Sequence, residues 1–194
     1  MRIILARHGQ SFVNVDPAKY AGQDTPLTPL GEAQAHALGV WLKTHHITDI
    51  GLIYASPLKR ANQTAEIVNC YLEKPLEIDA DLVEIERFDW GLLEKRDHPQ
   101  SATISRTVDP YYAAFHERVG RFFTKLVGDV SRTDTLLVVA HGGTNGTLIR
   151  HIFRSLELAT NTNNTGLHIF DWHEGNWIIR GINVTRHLPM EMLS

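Results

Sequence analysis

The run Leu136-Leu137-Val138-Val139-Ala140 constrains the fold more than any other stretch, because it is apolar throughout and lacks the alternation of a half-solvated strand. A strand of this kind is covered on both faces, as in a parallel sheet. Ile3-Ile4-Leu5-Ala6 has the same character, and Ile50 to Ala55 and the short Leu76 to Ile78 read as further strands. Leu167 to Trp172 and Trp177 to Ile182 flank Glu174-Gly175-Asn176, which predicts a hairpin.

Helical periods fall between these runs. Thr28 is placed to cap a helix, with Pro29 at its first position and Glu32 near the positive end of its dipole. Leu30, Ala33, Ala37, Leu38, Trp41 and Leu42 form its predicted buried stripe. Ser56-Pro57 repeats the cap-then-proline signal, followed by Leu58, Ala61, Ala65, Val68 and Leu72 on one face. Tyr111 to Val130 and Gly143 to Phe153 also read as helices, and residues 94 to 110 as a polar surface loop. Strands alternating with helices predict an α/β three-layer sandwich with a mainly parallel central sheet flanked by helices. At 194 residues the expectation is one domain spanning 1–194, with a loop and helix cap region at about 88–115.

Composition narrows the function classes. A net charge of -3 gives no global basic field for nucleic acid or an anionic membrane, so neither is an expected partner. No apolar run approaches the roughly 20 residues of a membrane span. Ile3 to Ala6 before Arg7 is too short for a signal-peptide core, and a cytoplasmic location is the default expectation. The single cysteine, Cys70, is expected to be a small buried helix residue.

Two strands end in His-Gly. The first reads Ala6-Arg7-His8-Gly9 and the later one Ala140-His141-Gly142-Gly143. Ligand sites in open α/β sheets lie outside the carboxyl ends of strands, and glycines there let backbone approach a ligand closely. A neutral imidazole can attack phosphorus and carry the phosphoryl group as a phosphohistidine. Neighbouring cations such as Arg7 attract the phosphate and keep the imidazole unprotonated. Arginine forks and histidine donors then stabilise charge on the equatorial oxygens. Metal binding by His8 and His141 is the competing reading, but no His-x-x-x-His or Cys-rich spacing supports it.

The run Arg7-His8-Gly9-Gln10-Ser11-Phe12-Val13-Asn14 resembles the RHGxSxxN signature of the histidine phosphatase superfamily. Leu27 to Gly31, Ser56 to Ala65 and Val139 to Gly143 resemble its later blocks in order, and Asn183 to Leu188 its common ending. The resemblance implies His8 as nucleophile, with Arg7, Arg60 and His141 around the phosphoryl group and Asn14 as a neutral donor. Arg60 also falls in the first turn of a helix, whose N-terminus favours an anion. Gln10, Asn14, Gly22, Glu86 and Gly142 are candidate substrate-binding positions. For the general acid the resemblance implies a Leu-x-Glu setting; Glu84 fits it and is preferred, with Glu86 as the alternative.

The same resemblance separates two activities. A phosphatase lets water attack the phosphohistidine, whereas a phosphoglycerate mutase retains it for a second hydroxyl. Residues 94 to 110 carry Lys95, Arg96, His98 and Arg106 but no adjacent arginine pair, and Gly143 stands where mutases usually have Asn. The expected activity is therefore hydrolysis of a small phosphorylated metabolite, with no metal or organic cofactor; a mutase is the alternative, and a non-catalytic phosphate-binding module comes third. The pocket rim is expected from residues 12 to 24 and 88 to 112. Tyr111, Tyr112 and Phe115 read as helix-packing residues there. The sequence assigns no oligomeric state.

Overall fold

The computed structural model describes residues 1–45, 49–85, 110–128 and 135–194. Six strands form one sheet in the order β3-β2-β4-β1-β5-β6: β1 (Arg2–Arg7), β2 (Ile50–Ala55), β3 (Leu76–Ile78), β4 (Thr135–Ala140), β5 (Leu167–His173) and β6 (Asn176–Val184). β3, β2, β4 and β1 are parallel, while β5 and β6 add the antiparallel hairpin. Its turn places Glu174 and Gly175 at φ 48° and 79°, a conformation that glycine adopts without steric cost.

The apolar runs have the predicted cause. In β4, Leu136 and Val138 enter one buried cluster, while Leu137 and Val139 enter the other. Ile3 and Leu5 of β1 divide from Ile4 and Ala6 in the same way, as period-two side chains must. Helices α2 (Pro29–Thr44) and α3 (Lys59–Leu72) cover one face; α4 (Pro110–Val127) and α5 (Gly142–Phe153) cover the other. A one-turn helix, α1 (Phe12–Val15), precedes α2. The three-layer α/β architecture is as expected.

Three local expectations need correction. On α2 the buried face carries Gly31, Gln34, Ala35, Leu38, Gly39 and Leu42, and Ala33 is exposed. The face turns toward Gln34 because its amide is fully used: Oε1 accepts from Gln10 N at 2.8 Å, and Nε2 donates to Met192 O at 2.6 Å and Ser194 Oγ at 2.9 Å. Ser56 does not cap α3, which begins at Lys59 with Leu58 in the cap position. Asp24 takes over that duty, its carboxylate accepting from Lys59 N at 2.9 Å. Cys70 is exposed, because Ala61, Ala65, Val68 and Leu72 already define the covered face of α3 and position 70 lies across from Val68.

Tyr112 and Phe115 are buried helix-packing residues of α4, whereas Tyr111 is 53% exposed. Most of the expected cap region, and the candidate Glu86 just before it, lie outside the described residues.

Candidate active site

Parallel pairing of β1 with β4 sets Arg7 beside Ala140, so the next residues, His8 and His141, leave the same sheet edge together. His8 N donates to Ala140 O at 2.9 Å, and the two imidazoles meet edge to face with centroids 5.1 Å apart. Arg60, on the first turn of α3, reaches the same point from the neighbouring β2–α3 unit. His8, His141 and Arg60 are 3%, 0% and 9% exposed.

The bonds of His8 define its state. Nδ1 lies 2.6 Å from the Gly9 carbonyl, which can only accept, so Nδ1 carries the proton. Nε2 therefore holds the lone pair, and Arg60 Nε donates to it at 3.2 Å. Burial, then Arg60, then Arg7 hold His8 well below the ordinary histidine pKa, against the opposing Gly9 bond. Burial is the largest cause for His141 too, followed by His8, Arg60 and Arg7. Both rings are neutral at pH 7.

Surrounding backbone fixes the constellation. Arg7 Nη1 donates to Thr162 O at 2.6 Å, and burial lowers its pKa from the usual arginine value. Asn164 Nδ2 donates to His8 O at 2.9 Å, and Gly9 N donates to Thr64 Oγ1 at 3.0 Å. Gly9 owes its missing side chain to α2 rather than to a ligand, since a Cβ there would press on the Gly31 carbonyl.

Glu84 enters from the stretch after β3. Its Oε2 accepts from Gly143 N at 2.9 Å, and its Oε1 accepts from Ile85 N at 2.9 Å and Thr144 Oγ1 at 3.3 Å. It thus sits at the first turn of α5, beside His141. Burial raises its pKa; the bonds from Ile85 and Gly143 and the charge of Arg60 oppose that shift. Gly143 makes the position accessible, because a Cβ there would lie 2.6 Å from Glu84 Oε1.

The remaining candidates are distributed unevenly. Asn14 Oδ1 accepts from Ser11 N at 3.0 Å and Asn164 Nδ2 at 3.4 Å, so only its amide nitrogen can serve a ligand. Gln10 Oε1 accepts from Thr28 Oγ1 at 2.8 Å, which ties Gln10 to the cap of α2. Gly142 opens α5 beside Arg7, at 3.9 Å from its Nε to an added Cβ. Gly22 has φ 69° on an exposed loop, whereas the two histidines are buried. Glu86 falls outside the described residues.

Two residues escaped sequence reasoning. Ser56 Oγ lies 2.8 Å from His141 Nε2, leaving Nδ1 of that ring buried with no partner among the described residues. Asp24 lies 3.8 Å from Arg60 Nη1. Ser56 stood at a strand end and opened a block that resembles the family's, but its position read as a helix cap. Asp24 gave no signal, being one acid in an aperiodic loop.

This arrangement offers a neutral nitrogen nucleophile, two guanidinium groups, a second imidazole and a carboxyl group biased toward its protonated form. Those are the parts that phosphoryl transfer needs. Among the described residues, no three His, Cys, Asp or Glu side chains converge as a metal ion would require.

Comparison with known proteins agrees with this inventory. The chain is 29% identical over 194 residues to the uncharacterized phosphatase PhoE of Bacillus subtilis, covering 96% of each chain. It is 30% identical over 164 residues to the adenosylcobalamin/alpha-ribazole phosphatase of Escherichia coli, covering 78% of this chain and 79% of that one. The crystal structure of a putative alpha-ribazole-5'-P phosphatase from Escherichia coli superposes with a TM-score of 0.73 at 28% identity, covering 95% of this chain and 98% of the other. The family model of the histidine phosphatase superfamily, branch 1, matches residues 3–185, and the chain belongs to that superfamily.

Proposed function

We propose that this chain hydrolyses a small phosphomonoester through a phosphohistidine formed on His8. The observation that carries the reading is the pair of bonds on that ring: Nδ1–H to Gly9 O at 2.6 Å, and Arg60 Nε–H to Nε2 at 3.2 Å. The first keeps the lone pair on Nε2. The second marks where a cation already waits for the phosphoryl group.

In the first step Nε2 attacks phosphorus and the bond to the leaving oxygen breaks. Arg60 turns its donors from Nε2 to the equatorial oxygens, joined by Arg7 and His141. Glu84, protonated, gives its proton to the departing alkoxide. In the second step water attacks the phosphohistidine, the carboxylate of Glu84 takes the water proton, and Nε2 regains its lone pair. The carbonyl of Gly9 serves throughout, since Nδ1 keeps its proton in both the free and the phosphorylated ring.

Gly143 leaves the Glu84 carboxyl the room it needs to act as acid and then as base. A larger residue would displace the Glu84 carboxyl from the position where it can activate water. Incubation with phenyl phosphate and with a phosphorylated diol tests the reading. Free phosphate released by the wild type and absent with His8→Ala is the expected result. Label migrating between hydroxyls without release identifies a mutase; no turnover and no phosphoenzyme identifies a binding module.

A further inference from the structure

Glu84 is supported from two helices. Its carboxyl is held by α5, through Gly143 N and Thr144 Oγ1. The backbone leading to it is held by α4. Arg118 Nη1 donates to Ala80 O at 3.1 Å and to Asp81 O at 3.0 Å, and its Nη2 donates to Val83 O at 2.7 Å. These carbonyls belong to a single turn of 3₁₀ helix, Ala80–Leu82, and the residue after it, which carry the chain from β3 to Glu84. Within the turn, Leu82 N donates to Asp79 O and Val83 N to Ala80 O, both at 3.2 Å. The carbonyls at the end of so short a turn need donors from elsewhere. A guanidinium can serve three of them at once, because it carries five N–H donors in one fixed plane. Arg118 is itself fixed: it is half-buried, and its guanidinium lies 5.1 Å from the buried Phe115 ring one turn earlier on α4. Burial lowers its pKa, and the charges of Asp81 and Glu84 oppose that shift. Two more cations of α4 face the same segment, with Arg121 Nη2 at 2.9 Å from Asp81 Oδ1 and Lys125 Nζ at 3.0 Å from Asp79 Oδ2. Their side chains are 58% and 49% exposed, and pairs so exposed do little to hold a segment in place.

We propose that Arg118 is a positioning residue for the reaction: by clamping the carbonyls of Ala80, Asp81 and Val83 it sets where the Glu84 carboxyl meets the leaving oxygen. The inference rests on Glu84 as the general acid and deepens that reading. Arg118 acts through the backbone rather than on the substrate. Without the clamp the carboxyl keeps its donors on α5, but the turn that delivers it can shift. A displacement of ~1 Å is enough to slow a positioned proton transfer ~10²-fold.

The test is the rapid-quench rate of phosphoenzyme formation on an alkyl phosphate beside 4-nitrophenyl phosphate, whose leaving group needs no proton. Arg118→Met should slow the alkyl phosphate ~10- to 100-fold and the nitrophenyl ester less than about 3-fold. Arg118→Lys keeps the charge but not the planar fork, and its rate on the alkyl phosphate should fall between those of the wild type and Arg118→Met. Placed in a Glu84→Gln protein, Arg118→Met should cost less than about 2-fold more, because a residue that works through Glu84 then has nothing to position. Arg121→Met, which removes an exposed pair of the same helix, should leave both rates within about 2-fold of the wild type. Thermal unfolding identifies the folded variants, and if Arg118→Met does not fold, Arg118→Lys carries both comparisons. Equal losses on the two esters, no loss on either, or a loss that adds in full to that of Glu84→Gln overturns the positioning role. Glu84→Gln alone tests the reading underneath. If it slows both esters equally, the acid role fails and takes the clamp with it; if it slows the alkyl phosphate selectively while the Arg118 variants do not, the acid stands and the clamp falls.

Discussion

Gly143→Ala isolates the contribution of the Glu84 carboxyl. The added Cβ would lie 2.6 Å from Glu84 Oε1 and 3.2 Å from both Glu84 Cδ and Ile85 Cγ2. The nearest of these is inside any real carbon–oxygen contact, and it is the end of a rotatable side chain, so the carboxyl moves and the backbone stays. Position 143 has ordinary helical φ, and alanine is intrinsically the better helix residue by ~0.5–1 kcal/mol, so backbone strain cannot explain a loss of activity. The moved carboxyl forfeits the bond from Gly143 N at 2.9 Å and its approach to the leaving oxygen. Loss of a positioned general acid costs ~10²-fold, or about 2.7 kcal/mol of barrier. That cost falls on substrates whose leaving oxygen needs a proton. The assay is the rapid-quench rate of phosphoenzyme formation, the step before water attacks, on an alkyl phosphate beside 4-nitrophenyl phosphate, whose leaving group departs as the anion. The expected result is a ~100-fold fall on the first and less than about 3-fold on the second, with thermal unfolding little changed. Equal losses on both substrates, or none on either, would refute the role given to Glu84 and the reason given for the glycine.

Other consequences follow from the same geometry. Ser56→Ala leaves His141 Nε2 buried without its 2.8 Å partner; kcat should fall about 10-fold with KM little changed, and Ser56→Thr should restore most of it, as steady-state kinetics will report. His8 stays neutral well below pH 6.5 and Glu84 is raised above its usual value, so kcat on an alkyl phosphate should persist at pH 5 and decline as pH rises through the Glu84 ionisation; Glu84→Gln should flatten that decline along with the rate. His168 is fully buried and its pKa is lowered to about 4 by burial. Between pH 6.5 and 4 the unfolded chain binds a proton that the folded one does not, so stability is intact above pH 6.5 and falls with acidification by up to about 3 kcal/mol from this ring. Urea unfolding at pH 7 and pH 4.5 measures it; His168→Gln should lessen the difference.

What the sequence disclosed and what it hid have the same physical origin. Leu136 to Ala140 announced a strand covered on both sides because burial of successive residues leaves a continuous apolar run. The hairpin was legible because Gly175 supplies the positive φ its turn requires. His8 and His141 were legible as residues that follow strand ends, Arg7 as the last residue of β1 and Arg60 through the family resemblance, and the topology brings those places together. Ser56 and Asp24 were not, because their partners are distant in the chain. Ser56 meets His141 across 85 positions, and Asp24 caps α3 across 35. A local pattern reads Ser56 as a cap, and only tertiary pairing gives its hydroxyl to an imidazole. The predicted stripe of α2 left out Gln34 for a related reason: an amide can occupy a core face when three fixed partners satisfy it, and hydropathy periodicity has no means of counting partners.

The account depends on covalent chemistry at one nitrogen. Rapid quenching of wild-type protein with a ³²P-labelled phosphomonoester, followed by peptide mapping, addresses that directly. The prediction is a single labelled peptide containing residue 8, with phosphate on Nε2, stable to alkali and lost in acid, and absent from His8→Ala. Label on another residue, or a His8→Ala protein that still releases phosphate at the wild-type rate, would contradict it.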